Sequence, residues 1–325
     1  MPNRGAGEAG IGGRAFRTRL TTQSGASLSP AAYGTMQWGG TADFGAAQAM
    51  FDACLQADIQ HFDTAFVYTD GKSEEFLGDI AGNRDDVFVA TKVAYNQPAT
   101  STNIHTSFDV SRKRLKRDCV DLLYMHRFDD TTPLEHTFEA LAGLQSSGAI
   151  RFIGVSNYAA WQVMKAQGVA ATFGTKIDVI QPMMNLVKRQ VQAEILPMTR
   201  DQGIQVCAYS PLGGGLLTGK YGSGADGRLA TDARYAARYG PRWMHEAAKG
   251  LAQIAADVGV DAAMLAVAWL RRHAPDVHPI LSARSVAQLT PSLDGLTFDL
   301  DDNIYIAITA LSPAPPPATD RIEEA

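Results

Sequence analysis

Short runs of β-branched and aromatic residues alternate along this chain with longer stretches whose apolar residues recur every third or fourth position. The first kind has the length of buried strands, the second the period of helices that pack by one face. Strands are expected at 33–36, 60–63, 87–93, 121–126, 150–155, 179–181, 205–209 and 277–281. Helical periodicity fills 45–57, 73–81, 103–117, 134–147 and 159–170 between them. Strands alternating with helices predict parallel βαβ units, and eight of them close an α/β fold of the (β/α)8 TIM-barrel type. An open doubly wound sheet is disfavoured, because no strand is followed by Gly-x-Gly-x-x-Gly, the usual opening of a dinucleotide-binding half.

Departures from strict alternation add detail. Residues 17–29 read as an N-terminal β-hairpin that closes the bottom of the barrel, and 1–16, glycine-rich, as a disordered leader. A long irregular segment rich in Gly, Tyr and Arg follows the seventh strand, and long loops of this kind tend to be lids or binding loops. Two extra helices, 243–258 and 262–273, precede the last strand, and helices at 287–293 and 301–311 follow it. A single barrel domain is therefore expected over 17–311, with a disordered, proline-bearing tail over 312–325.

Composition narrows the function classes. With 325 residues, 46% of them hydrophobic, the chain can bury a barrel-sized core. A net charge of -5 gives no electrostatic reason to expect nucleic acid or an anionic membrane surface. No apolar run is long enough to span a bilayer, and the leader lacks the apolar region of a secretory signal. Cys54, Cys119 and Cys207 have neither disulfide nor zinc spacing and suit small buried hydrophobes in a reducing cytoplasm. No metal site is expected, and the oligomeric state is not specified by any separate apolar stripe.

The chemistry collects where apolar runs stop. Phe62-Asp63-Thr64-Ala65 running on to Tyr68, Ala90-Thr91-Lys92, Tyr124-Met125-His126 and Gly154-Val155-Ser156-Asn157 each lie at the C-terminal end of an expected strand. In a barrel those ends share one rim. Taken singly, Tyr68 suits packing, Lys92 a solvated strand end, Asp63 a helix cap and His126 a core imidazole. Together they bring a phenol, an ammonium, a carboxylate and an imidazole to one place. An ammonium beside a phenol lowers its pKa, a carboxylate keeps the ammonium charged away from water, and an imidazole N–H can polarise a carbonyl.

The order of these strings resembles the aldo-keto reductase family. The likeness rests on His61-Phe62-Asp63-Thr64-Ala65-Phe66-Val67-Tyr68, Gly71-Lys72-Ser73-Glu74-Glu75-Phe76-Leu77-Gly78 and Ala90-Thr91-Lys92. It continues through Asp121-Leu122-Leu123-Tyr124-Met125-His126-Arg127, Ile153-Gly154-Val155-Ser156-Asn157 and Ala208-Tyr209-Ser210-Pro211-Leu212-Gly213. The nearest likeness is to a bacterial branch of Tas-like reductases related to potassium-channel β subunits. The resemblance implies Tyr68 as general acid, Lys92 and Asp63 as its tuning pair, and His126 as the group that orients the carbonyl. It implies Ser156, Asn157 and Gln181 on the nicotinamide carboxamide, Tyr209 stacked on the ring, and Gly34, Thr35 and Met36 beside the same cofactor.

Gly214-Gly215-Leu216-Leu217-Thr218-Gly219-Lys220 resembles the start of a Walker A loop, yet Tyr221 stands where a magnesium-binding Ser or Thr belongs. The resemblance makes this text a loop over the cofactor pyrophosphate instead, met by Ser210, Leu212, Gly213, Gly215 and Lys220. Ser282, Arg284 and Gln288 would take the adenosine end, with Arg284 on a 2′-phosphate favouring NADP over NAD. Two departures stand here: Ser282 replaces the family's glycine, and Ser292 an adenine-binding asparagine. Trp38, Phe66, Tyr95 and Phe128 follow the first four strands and could wall a pocket for an aldehyde, ketone or sugar-like carbonyl. The alternative implied by the resemblance is an NADP-binding, redox-sensing regulatory subunit with little turnover.

Overall fold

A computed structural model describes residues 19–223, 227–319, 321 and 323. Eight parallel strands close in chain order into one barrel: β1 (Ala32–Gly34), β2 (His61–Asp63), β3 (Phe88–Val93), β4 (Val120–Met125), β5 (Ile150–Ser156), β6 (Val179–Gln181), β7 (Gln205–Tyr209) and β8 (Val277–Leu281). The strands are buried nearly throughout, as a sheet covered by helices outside and filled by side chains inside must be. Ala32, Phe88, Ala90, Leu122, Tyr124, Val179, Cys207 and Ile280 form the inner packing, while the larger apolar cluster lies between strands and helices.

The surrounding helices are α1 (Phe44–Gln56), α2 (Lys72–Ala81), α3 (Ser101–Leu115), α4 (Leu134–Ser146), α5 (Ala160–Thr172), α6 (Ile195–Gln202), α7 (Arg228–Thr231), α8 (Ala233–Arg238), α9 (Arg242–Val258), α10 (Ala262–His273), α11 (Val286–Thr297) and α12 (Asp302–Ala310). Short polar side chains start several of them: Asp43 accepts from Ala46 N at 2.8 Å and Asp261 from Ala263 N at 2.7 Å. Such caps satisfy amides that the helix cannot. Among the described residues no single helix is long and apolar enough to cross a membrane.

The structure corrects the expected pattern in four places. The N-terminal hairpin is a single antiparallel bridge, Thr21 to Ser27, and 17–18 lie outside the described residues with the leader. Its Leu20 nonetheless packs with the inner cluster. Helix α6 is additional to the helices expected from periodicity; its Pro197 stands in the first turn, where no amide is needed. The segment after β7 is not irregular but carries helical turns at Gly213–Thr218 and Lys220–Ser223, then α7 and α8. The tail begins docked: Ser312 is buried and its carbonyl accepts from the Arg189 guanidinium at 3.0 Å.

The bottom of the barrel is tied by charge. Asp121 on β4 accepts from Val89 N on β3 at 2.9 Å and from Arg151 on β5 at 2.7 Å, with Arg117 at 3.7 Å. Arg151 also donates to the Thr21 carbonyl at 2.7 Å, so the hairpin, three strands and the turn after α3 share one network.

Candidate active site

The register of β3, β4 and β5 places Lys92 beside Tyr124 and Tyr124 beside Gly154. Lys92 is wholly buried and its ammonium is bonded to the Asp63 carboxylate and, at 2.8 Å, to the Thr64 carbonyl. The other Asp63 oxygen accepts from Gln181 Nε2 at 2.8 Å. Burial pushes the Asp63 carboxyl up and the Lys92 ammonium down, and each partner's charge opposes that shift. The ammonium lies 5.0 Å from the centre of the Tyr68 ring and 5.7 Å from that of Tyr124. It is thus held between two aromatic faces with a carboxylate beside it, an arrangement that favours the charged form in a dry setting.

His126 closes the group. Its ring stands edge-on to Tyr68 with centroids 5.8 Å apart, and the Tyr95 ring lies tilted to it at 4.7 Å. Burial, then the nearby Lys92 and Arg127 charges, push the imidazole down to about 3. A neutral ring at physiological pH has one N–H to donate and no spare proton to give. Its Nδ1 has no hydrogen-bond partner among the described residues.

The other expected residues are placed as follows. Ser156 Oγ donates to the Gln181 carbonyl at 3.0 Å, and Asn157 Nδ2 to the His126 carbonyl at 3.0 Å. Tyr209 donates its hydroxyl to Asn157 Oδ1 at 2.8 Å. Asn157 and Ser210 have φ values of 58° and 59°, so the backbone turns sharply at the ends of β5 and β7. Gly34 and Thr35 leave β1 beside the same rim, with Met36 next; Thr35 and Thr64 both share hydrogen bonds with Ser73. Gly213, Gly214 and Gly215 follow one another at φ 59°, 66° and 95°, with Leu212 accepting from Gly215 N at 3.0 Å. Lys220 lies over the Tyr221 ring at 5.0 Å. Ser282, Arg284 and Gln288 lie beyond β8, where Gln288 Oε1 accepts from Arg284 N at 3.3 Å and Ser285 caps α11.

Of the aromatic wall, Tyr95 is 37% exposed and Phe66 and Phe128 are half-buried. Trp38 is not part of it: at 0% exposure it packs against Tyr33 and Phe62 and donates to the Tyr33 hydroxyl at 3.3 Å. A cleft of about 340 Å³ opens beside Asn157, lined by Arg127, Phe128, Asp129, Asp130 and Gln162. Sequence reasoning did not single out Tyr124, which looks like any core aromatic, or Arg114, which sits in a run of basic residues. No group of three or more metal-binding side chains occurs among the described residues.

A buried carboxylate and ammonium beneath a phenol and a neutral imidazole, on the C-terminal rim of a closed parallel barrel, define an α/β-barrel oxidoreductase. The Aldo/keto reductase family profile matches residues 31–313, and the chain belongs to that family of NAD(P)-dependent oxidoreductases. It is 32% identical over 285 residues to a probable voltage-gated potassium channel subunit beta of Oryza sativa subsp. japonica, covering 80% of this chain and 84% of that one. It is 40% identical over 206 residues to aflatoxin B1 aldehyde reductase member 2 of Mus musculus, covering 61% and 56%. With the uncharacterized oxidoreductase YrpG of Bacillus subtilis (strain 168) it shares 32% identity over 316 residues, 90% of this chain and 95% of the relative.

Proposed function

We propose that this chain reduces an aldehyde, ketone or sugar-like carbonyl with NADPH, Tyr68 supplying the proton. The observation that carries the reading is the Lys92 ammonium, bonded to Asp63 and set 5.0 Å from the Tyr68 ring centre. A phenol is a weak acid in water, and a positive charge held at this distance stabilises the phenolate left when the proton departs. His126, neutral because it is buried, donates its N–H to the carbonyl oxygen and aims it at Tyr68. The imidazole therefore orients and polarises while the phenol transfers the proton.

The residues present suit a nicotinamide dinucleotide. Three successive left-handed glycines after β7 keep Cβ atoms off the backbone of this turn, which suits close approach of phosphate oxygens. When bound, the dinucleotide supplies hydride to the carbonyl carbon. Tyr209, Ser156, Asn157 and Gln181 hold its nicotinamide end, Gln181 also bracing Asp63 through its Nε2, and Lys220 adds charge at the phosphates. Arg284 recognises a 2′-phosphate and sets the preference for NADP, as guanidinium does for such oxyanions.

The test follows nicotinamide absorbance across a panel of aldehydes, ketones and polyols, with NADPH and NADH in parallel. Turnover is expected with NADPH, falling by about 100-fold or more in Tyr68→Phe, the scale of general-acid catalysis. Tight NADPH binding without turnover would favour the second reading, a redox-sensing subunit, which the likeness to a channel subunit supports.

A further inference from the structure

The loop that carries Tyr68 has a backbone the chain does not adopt unaided. Thr69, Asp70 and Gly71 follow one another at φ 47°, 55° and 95°. Left-handed backbone is unfavourable for a residue with a Cβ, most of all for a β-branched one such as Thr69, and persists only where the surroundings impose it. Several ties do so. Phe66 N donates to the Lys92 carbonyl at 3.0 Å, and Tyr68 N to Ala65 O at 3.0 Å. Thr69 Oγ1 donates to the Trp38 carbonyl at 2.8 Å and accepts from Ser73 N at 3.0 Å.

The remaining tie comes from outside the loop. Arg114, on α3, lays its guanidinium 4.9 Å from the centre of the Phe66 ring and donates to the Phe66 carbonyl at 3.2 Å. The same nitrogen donates at 3.1 Å to Glu74, a wholly buried carboxylate on α2 whose other oxygen accepts from Thr91 at 2.6 Å. Thr91 is the strand neighbour of Lys92. Gly71 makes room for this fork, since a Cβ there would stand 2.3 Å from the guanidinium carbon. Gly78 lets α2 close against the Arg114 backbone, where a Cβ would meet its carbonyl oxygen at 2.2 Å. One side chain therefore ties the loop before Tyr68 to the helix that follows it, passing close over Gly71.

We propose that Arg114 is a positioning residue: its guanidinium clamps the loop 66–71 and so fixes the Tyr68 phenol against Lys92 and His126. The inference rests on Tyr68 being the proton donor. Displacing a reacting group by about 1 Å costs on the order of 100-fold in rate, and loop position is what Arg114 controls.

Steady-state kcat and KM are measured for the parent, Tyr68→Phe, Arg114→Met, Arg114→Lys and the Tyr68→Phe/Arg114→Met pair. Arg114→Met is expected to lower kcat by about 10- to 100-fold while KM for NADPH stays within roughly twofold, the signature of a lost transition-state geometry. Lysine, a point charge without a fork, recovers only part of kcat, and millimolar guanidinium chloride restores part of it to Arg114→Met. In the Tyr68→Phe background Arg114→Met costs nothing further. An unchanged kcat in Arg114→Met, or the same loss in both backgrounds, would overturn the clamp. Full turnover in Tyr68→Phe would instead overturn the proton donor, and the clamp's role with it. Should Arg114→Met fail to fold, Arg114→Lys carries the test: it is expected to keep the parent's melting temperature while kcat falls by about 10-fold in the Tyr68 background only, and an unchanged kcat overturns the proposal.

Discussion

At the scale of single residues, the site depends on what is missing as much as on what is present. Gly154 on β5 stands beside Tyr124, and a Cβ there would come 2.3 Å from the Tyr124 ring. That ring is one of the two faces that hold the Lys92 ammonium. Gly154→Ala must push the ring toward Lys92 or force the strands apart, and overpacking of this kind costs about 1–3 kcal/mol. Chemical denaturation is expected to show that loss, together with reduced turnover in the fraction that remains folded. Full activity at reduced stability would show that Tyr124 only fills space. Trp38 teaches the opposite lesson, for an aromatic at the end of the first strand looks like a pocket wall until its neighbours are known. Tyr33 and Phe62 bury it completely, and no local pattern announces that.

At the scale of elements, the strands were legible because a barrel buries both faces of its sheet, leaving mostly apolar runs such as Phe88–Val93, in which Thr91 and Lys92 are the polar interruptions near the C-terminal end. Asp63, Lys92 and His126 were legible for the same reason: each interrupts or ends such a run. Helix α6 and the turns after β7 were not, because Pro197 and the glycines 213–215 carry breaker signals that the local backbone absorbs. Arg114 was illegible for a different reason. Its role depends on α2 lying close to α3, a contact set by Gly78, and tertiary contacts of this kind leave no periodic trace. The two ends of the barrel also differ in what they carry, since the Asp121 network joins strands at the bottom while the candidate catalytic groups Asp63, Lys92 and His126 stand at the rim. Removing one partner from a buried ion pair costs about 3–5 kcal/mol, so Asp121→Ala is expected to lower unfolding free energy on that scale. Its kcat per folded molecule should match the parent, and a selective loss of kcat would show that the two ends are coupled.

At the scale of the whole molecule, the barrel interior sets how the fold responds to acid. His61, at the start of β2, is wholly buried, with its ring edge-on to Phe88 at 4.7 Å and neither nitrogen hydrogen-bonded among the described residues. Burial first, then the His278 and Lys92 charges, push it down to about 3. Above pH about 6.5 the folded and unfolded chains both hold this ring neutral, so it adds no pH dependence there. Below that value the unfolded chain takes up a proton that the folded chain refuses, and stability falls as pH falls, until the folded ring itself protonates near pH 3. The slope for one such group is about 1.4 kcal/mol per pH unit. Buried carboxyls such as Asp63 and Glu74, pushed up by burial, act in the opposite direction and obscure the effect in the parent alone. They cancel in a comparison with His61→Leu, which keeps the interior apolar. Unfolding free energies of the two proteins, measured by denaturant titration from pH 7 to pH 4, should therefore diverge below about pH 6.5 in the variant's favour. The gap should widen at about the single-proton slope. Parallel curves across that range would mean that water reaches the ring, and that the base of the barrel is not the dry interior its packing describes.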